Sequence, residues 1–259
     1  MYLVANEKLA RPMRLLAAFL ALGIASACHR PVAHLKVPQQ SSVALTGGTT
    51  TSMIYVARTS EGVLVIDLGW TGYRRPLKHA LEELGVTSRD VRWVFVTHAH
   101  RDHVSAWRAF RSATFFLAEP EVPLFVGKKL PRAWIPRIAD RLKPPGRPRA
   151  GEVALHSFSS DTTFVFGSDT LRAYLVTGHT AGSAAYLFRG ILFAGDAVSW
   201  ATMGEFAPAM VQYSDRPHAA ARNLARLWTR LPSDGVRYVC TAHARCALFT
   251  PQFLEDVAR

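Results

Sequence analysis

Three histidines and one aspartate fall within six residues in the segment Thr97-His98-Ala99-His100-Arg101-Asp102-His103. The segment follows directly on Val91–Val96, a run that is apolar but for Arg92 and reads as a buried strand. A tight turn after a strand can aim several such side chains at one point. Imidazole and carboxylate together suit Zn, Fe or Mn. The bland alternative is a polar loop whose exposed histidines are unrelated to one another.

Four further segments argue against that alternative. Asp67 closes the apolar run Val63-Leu64-Val65-Ile66, and Thr177-Gly178-His179-Thr180-Ala181-Gly182-Ser183 forms a polar, glycine-bearing loop. Phe193-Ala194-Gly195-Asp196 and Thr241-Ala242-His243 each follow another apolar run. In this order the segments resemble the metallo-β-lactamase-fold superfamily, with its H-x-H-x-D-H signature, G-H-T-x-G-S loop, G-D pair and late histidine. The resemblance runs from about Ser41 to the end of the chain. It implies a single α/β domain, a four-layer αββα sandwich with the site at the shared edge of two sheets.

Carried over residue by residue, the resemblance makes His98, His100 and His179 the ligands of one metal. Asp102, His103 and His243 would hold a second, and Asp196 would bridge both. The implied cofactors are two divalent ions, zinc foremost, with iron or manganese as alternatives. Five of the ten histidines lie at these positions, and the rest form no cluster; His79, His156 and His218 read as surface or core residues. Asp102 is also the catalytic candidate, able to orient a nucleophile. Asp67 reads as a residue that orients a ligand histidine or the turn, or merely as a strand-end cap.

The chemistry implied is hydrolysis by a metal-bridging hydroxide, acting on the carbonyl of an ester, lactone, lactam or thioester. No Ser/His/Asp triad or nucleophile elbow is apparent. A mononuclear non-haem iron sulfur dioxygenase would share the same skeleton. A non-catalytic binding protein would show lost ligands, and none of the seven is missing. Cys240-x-x-His243-x-x-Cys246 could be a soft metal site, a pair of small core residues or a disulfide.

The elements that must position these residues alternate in type. Strands are expected at Ser52–Ala57, Val63–Asp67, Val91–Val96, Ala113–Leu117, Thr163–Phe166, Leu171–Val176, Ala184–Phe188, Ile191–Ala194 and Val236–Thr241. Helices are expected at Arg74–Leu84, with Gly85 as its C-cap, at Val104–Phe110 and at His218–Leu231. Residues 127–151 carry five prolines, three glycines and many cations, and read as a surface insertion bordering the site.

At the scale of the whole chain, 49% apolar content excludes wholesale disorder, and three cysteines are too few for a disulfide scaffold. The formal charge is +12, from 31 basic and 19 acidic residues. Such a balance suits a nucleic acid, an anionic membrane surface or an acidic substrate, yet no nucleic-acid-binding motif accompanies it, and nucleic acid is not an expected partner. Cations of the insertion such as Lys128, Lys129 and Arg132 could instead greet an anionic group on a small-molecule substrate.

The first residues read as a targeting segment. Lys8, Arg11 and Arg14 precede the apolar run Leu15–Ala25, too short for a membrane span and the right length for a signal-peptide core. Ala25-Ser26-Ala27 reads as the cleavage site, and Cys28 follows as a lipidation candidate, although the position taken by Ala25 favours Leu in bacterial lipoproteins. Removing residues 1–27 leaves 28 basic and 18 acidic residues, a charge of +10. Residues 28–40 would be a tether, 41–259 the domain, and the location the periplasm or a membrane-anchored lipoprotein. Export disfavours glutathione thioesters and tRNA as substrates.

Overall fold

The structure is a computed structural model that describes residues 43–48, 51–69, 81–200, 206–233, 235–243 and 246–250, with Lys78, Phe253 and Glu255. The stretches expected to be a targeting segment and a tether, with Cys28, lie outside the described residues, as does most of the first expected helix. Of that helix, residues 81–83 are helical and bury Leu81. Gly85 ends it at φ +61°, with Val86 donating its N–H to the Leu81 carbonyl at 2.9 Å.

Two six-stranded sheets make the frame. The first runs β1 (Val43–Gly48), β2 (Thr51–Arg58), β3 (Val63–Ile66), β4 (Val91–Phe95), β5 (Thr114–Ala118) and β6 (Ala154–Phe158). The second holds β7 (Thr162–Phe166), β8 (Asp169–Leu175), β9 (Ala184–Phe188), β10 (Ile191–Gly195), β13 (Tyr238–Thr241) and β14 (Cys246–Leu248). A separate hairpin pairs β11 (Val198–Trp200) with β12 (Phe206–Pro208). In the first sheet β3, β4, β5 and β6 are mutually parallel; in the second, β10 and β13 are.

Three apolar clusters show the layering. Tyr55, Ile66, Phe95, Tyr186, Phe188 and Phe193, drawn from both sheets, fill the space between them. Val65, Val94, Val104, Trp107 and Phe110 cover the outer face of the first sheet. Leu192, Leu224, Leu227 and Val239 cover that of the second. Strands buried on both faces therefore read as unbroken apolar runs, as β9 and β10 do. The expected αββα sandwich is what the chain forms.

Helix boundaries depart from expectation in instructive ways. The helix expected at Val104–Phe110 is two pieces: α1 (Arg101–Val104) and a 3-10 turn at Trp107–Phe110. Ser105 turns its hydroxyl back onto the Arg101 carbonyl, one of the competing side-chain bonds that interrupt helices. The insertion is not structureless. It follows the short helix α2 (Val122–Phe125) and holds α3 (Trp134–Leu142) within it. The last long helix, α4 (Pro217–Leu227), starts on proline and buries Ala220, Leu224 and Leu227; it stops short of Leu231 in a turn onto the Leu227 carbonyl.

Candidate metal centre

The residues singled out in the sequence lie just past the carboxyl ends of β3, β4, β8, β10 and β13. Open α/β sheets form their crevices at that edge. His98 and His100 occupy the turn after β4, and Asp102 and His103 the first turn of α1. His179 follows β8, Asp196 follows β10 and His243 follows β13. The backbone binds these loops together. Leu68 donates to the His103 carbonyl at 2.8 Å, Ala184 to Thr97 at 2.8 Å, and Ala242 to Gly195 at 3.2 Å.

Two buried tyrosines cross the sandwich to the strand ends that carry ligands. Tyr186 of the second sheet donates its hydroxyl to the Val96 carbonyl at 2.8 Å, ahead of His98. Tyr55 of the first donates to the Thr241 carbonyl at 2.6 Å, ahead of His243. Burial, the largest cause, keeps both phenols well above their ordinary pKa and so protonated as donors. Glycine is required at two places. A Cβ on Gly178, at φ +134°, would lie 2.3 Å from the Ala220 amide nitrogen, and one on Gly195, at φ +54°, would lie 2.7 Å from Thr97.

Seven side chains converge in overlapping groups. His179 Nε2 lies 3.2 Å from His98 Nε2 and 3.1 Å from His100 Nδ1. Asp102, His103 and His243 form a second group, with His243 Nε2 3.2 Å from Asp102 Oδ2. Asp196 stands between the two. Its Oδ2 faces His179 at 3.5 Å and His98 at 3.9 Å, while its Oδ1 faces His243 at 3.3 Å and His103 at 3.6 Å.

A cation fits this arrangement. The buried His103 Nε2 has no hydrogen-bond partner, although carboxylate oxygens of Asp196 and Asp102 stand 3.6 and 3.8 Å away. That spacing is too long for a hydrogen bond and wide enough for an ion between imidazole nitrogen and oxygen.

Residues behind the cluster set which nitrogen two of the imidazoles offer. Asp67, fully buried, accepts the Thr97 N–H at 2.8 Å through Oδ1, and through Oδ2 the Thr97 hydroxyl and His103 Nδ1, each at 2.8 Å. Asp67, expected either to orient a ligand histidine or the turn or to cap the strand end, thus contacts both Thr97 and His103. His103 Nε2 is thereby turned to the cluster. Ser214 does the same for His179. Its hydroxyl donates to the Met210 carbonyl at 2.7 Å and faces His179 Nδ1 at 3.2 Å.

Ionisation follows position. Burial, then neighbouring imidazoles, holds His98 and His100 well below the ordinary histidine value. Burial likewise lowers His179 to about 4. Burial would lower His103 as well, but Asp67, Asp102 and Asp196 outweigh it and lift it to about 8. For Asp102 and Asp196 burial acts upward, and the facing histidines overcome it and hold both carboxyls below their usual range. The first trio is thus neutral and ready to ligate, whereas in the second the facing carboxylates lift both His103 and His243, which must shed protons to ligate.

Glu121 and Ser214 escape sequence reading, since neither belongs to a histidine-bearing segment. Glu121 is buried between two ligand loops and accepts the Ala99 N–H at 2.7 Å and the Gly182 N–H at 2.8 Å. Cys240 and Cys246 are disulfide-bonded across the β13–β14 pair, closing the loop that carries His243. That choice among the three readings of the cysteines was not legible in the sequence.

Comparison with known proteins gives a consistent picture. A family model described as the metallo-beta-lactamase superfamily matches residues 47–243. The hydroxyacylglutathione hydrolase of Bartonella henselae is 30% identical over 105 residues, 40% of this chain, and the match spans only 32% of that relative. Among solved structures, a metallo-beta-lactamase from Pontibacter korlensis is similar at TM-score 0.61 and 21% identity, over 86% of this chain and 95% of that one. A metallo-beta-lactamase superfamily protein from Sulfolobus tokodaii is similar at TM-score 0.60 and 15% identity, over 84% of each chain. At these identities the structures speak for the fold alone.

Proposed function

Because the chain belongs to the metallo-β-lactamase superfamily, we propose that it is an exported hydrolase that uses two divalent metal ions, zinc foremost, on the carbonyl of an ester, lactone, lactam or thioester. The observation that carries this reading is the placement of Asp196, which turns one oxygen to His98 and His179 and the other to His103 and His243. Two ligand sets sharing one carboxylate suit a pair of ions better than one.

His98, His100 and His179 would hold one ion, Asp102, His103 and His243 the other, and Asp196 would join them. Bound there, divalent ions supply Lewis acidity and lower the pKa of water towards ~7. Asp102, ionised at neutral pH and 19% exposed, could also orient an attacking water by accepting a hydrogen bond from it. Asp67 and Ser214 keep His103 and His179 in the ligating tautomer. The relative's hydrolase name and the shared skeleton support hydrolysis as the reaction class.

The deciding experiment is metal analysis of the purified chain, followed by a screen of lactams, lactones and thioesters. About two zinc per chain is expected. One iron with oxygen consumption would replace the hydrolase with a dioxygenase, and no retained metal would leave a binding protein. Asp102→Asn and His98→Ala should each abolish turnover while circular dichroism stays native, and wild-type rates in both would end the hydrolytic reading.

A further inference from the structure

The helix α3 leaves an apolar arc on its outer side. At about 100° per residue, Trp134, Ile138 and Leu142 lie along one side of it. All three face solvent, with exposures of 63%, 48% and 82%. The opposite side carries Pro136 and Asp140, and these are the buried ones. Asp140 is accepted inside because Arg147 donates to it at 2.9 Å, while the same guanidinium donates to the Ala99 carbonyl in the metal loop at 2.9 Å. Single exposed apolar residues are ordinary, but three aligned along one side of a helix, with exposed Arg137 and Arg141 beside them, form an arc that suits an apolar partner.

The charge beside the arc says what kind of partner. Lys128, Lys129, Arg132, Arg137, Arg141 and Lys143 are all exposed. Between Gly127 and Arg149 the lone acid is Asp140, turned inward onto Arg147. The arc also continues beyond the helix. The 3-10 turn Val211–Tyr213 packs against α3 and leaves Val211 68% exposed, and Met210 beside it is 48% exposed. Ala133, at the foot of α3, donates to Asp215 at 2.9 Å. This places the arc next to Ser214 and so beside His179.

We propose that this face docks peripherally on an anionic phospholipid surface, with Trp134, Ile138 and Leu142 entering the headgroup layer. An interfacial helix needs this pairing of an aromatic and aliphatic arc with flanking Lys and Arg. The cations are drawn by anionic headgroups, and the arc leaves water for the acyl boundary. A second copy of the chain would set cations against cations. A nucleic acid would satisfy the cations and leave Ile138 and Leu142 in water. No helix among the described residues is long and apolar enough to cross a membrane, so the contact is made from one side. The inference stands apart from the metal chemistry and would survive its failure.

The test must separate this face from the N-terminal apolar segment, which could bind vesicles on its own account. The full chain and its Trp134→Phe variant are mixed with phosphatidylglycerol vesicles carrying brominated acyl chains, and the difference between their emissions isolates Trp134. On these vesicles that component should lose on the order of half its intensity, recover in about 0.5 M NaCl, and stay unquenched on phosphatidylcholine. Ile138→Ser with Leu142→Ser should abolish the quenching while leaving metal content unchanged. Three results would overturn the proposal: a Trp134 component unquenched on anionic vesicles with which the chain sediments, quenching indifferent to the double substitution, or a dimer in solution that the double substitution dissociates.

Discussion

Asp67 shows how a residue behind the cluster can decide which atom a candidate ligand presents. Its two oxygens take three donors, among them His103 Nδ1, so the lone pair of His103 Nε2 points into the cluster. In Asp67→Asn an amide N–H2 would face either Thr97 or His103. Against His103 it would force the proton onto Nε2 and occlude the ligand. The expected result is a ~10–100-fold weaker affinity for the ion bound by His103, with the other ion retained; competition titration against a chromophoric chelator reads both. Proton competition belongs to the same scale. Because His103 is lifted to about 8, its charged form persists below that pH and its ligating form dominates only above it. Metal affinity should therefore fall as pH drops below 8, by about tenfold per unit for each proton displaced. Equal affinity at pH 6 and pH 9 would contradict this ordering of charges.

Among the elements, the short turn after β5 matters more than its length suggests. It ends in Glu121, whose carboxylate ties the loop after β4 to the loop after β8 through the Ala99 and Gly182 amides. Burial, its largest cause, raises the Glu121 pKa, so the carboxylate is tolerated there only because those donors meet it. Glu121→Ala would leave two buried N–H groups without acceptors, at about 1–3 kcal/mol each. Chemical denaturation should show a loss of about 2–5 kcal/mol, with Glu121→Gln between it and wild type because one oxygen remains. Unchanged stability in Glu121→Ala would mean that the two loops are held by their strands alone.

Across the whole molecule, the proposed ligands divide between the two sheets. His98, His100, Asp102 and His103 follow β4 of the first, whereas His179, Asp196 and His243 follow strands of the second. Ions held among them would join the layers at one edge, as the inter-sheet core and the two tyrosines do elsewhere. At ~100 times the dissociation constant, such binding adds ~2.7 kcal/mol. Chelation should accordingly lower Tm by about 5–10 °C, reversed by zinc. Calorimetry showing no change would place the bound metal on the unfolded chain as well. The Cys240–Cys246 bond adds a smaller clamp around His243. Removing both cysteines should cost about 2 kcal/mol in the same measurement.

The sequence by itself located most of the strands that lead to the cluster and, through the resemblance its segments carry, named the side chains that gather there. Apolar runs such as Val91–Val96 and Ile191–Ala194 announce buried strands, and polar ligand segments follow them at fixed offsets. Such local patterns survive in one dimension because side-chain burial and turn chemistry act over a few residues. The tertiary structure decided what depends on distant chain. The edge strands β1, β6 and β14 carry weaker patterns; in β6 the burial alternation expected of a half-buried strand is absent because it is nearly all exposed. Glu121 reads as one more surface acid until its two amide partners, 22 and 61 residues away, are brought to it. The exposed arc of α3 looks in sequence like an ordinary core stripe, since periodicity reports that a helix has two faces and not which one is buried. The inward side carries Asp140, paired with Arg147, and Arg147 in turn reaches the Ala99 carbonyl, 48 residues away in the chain.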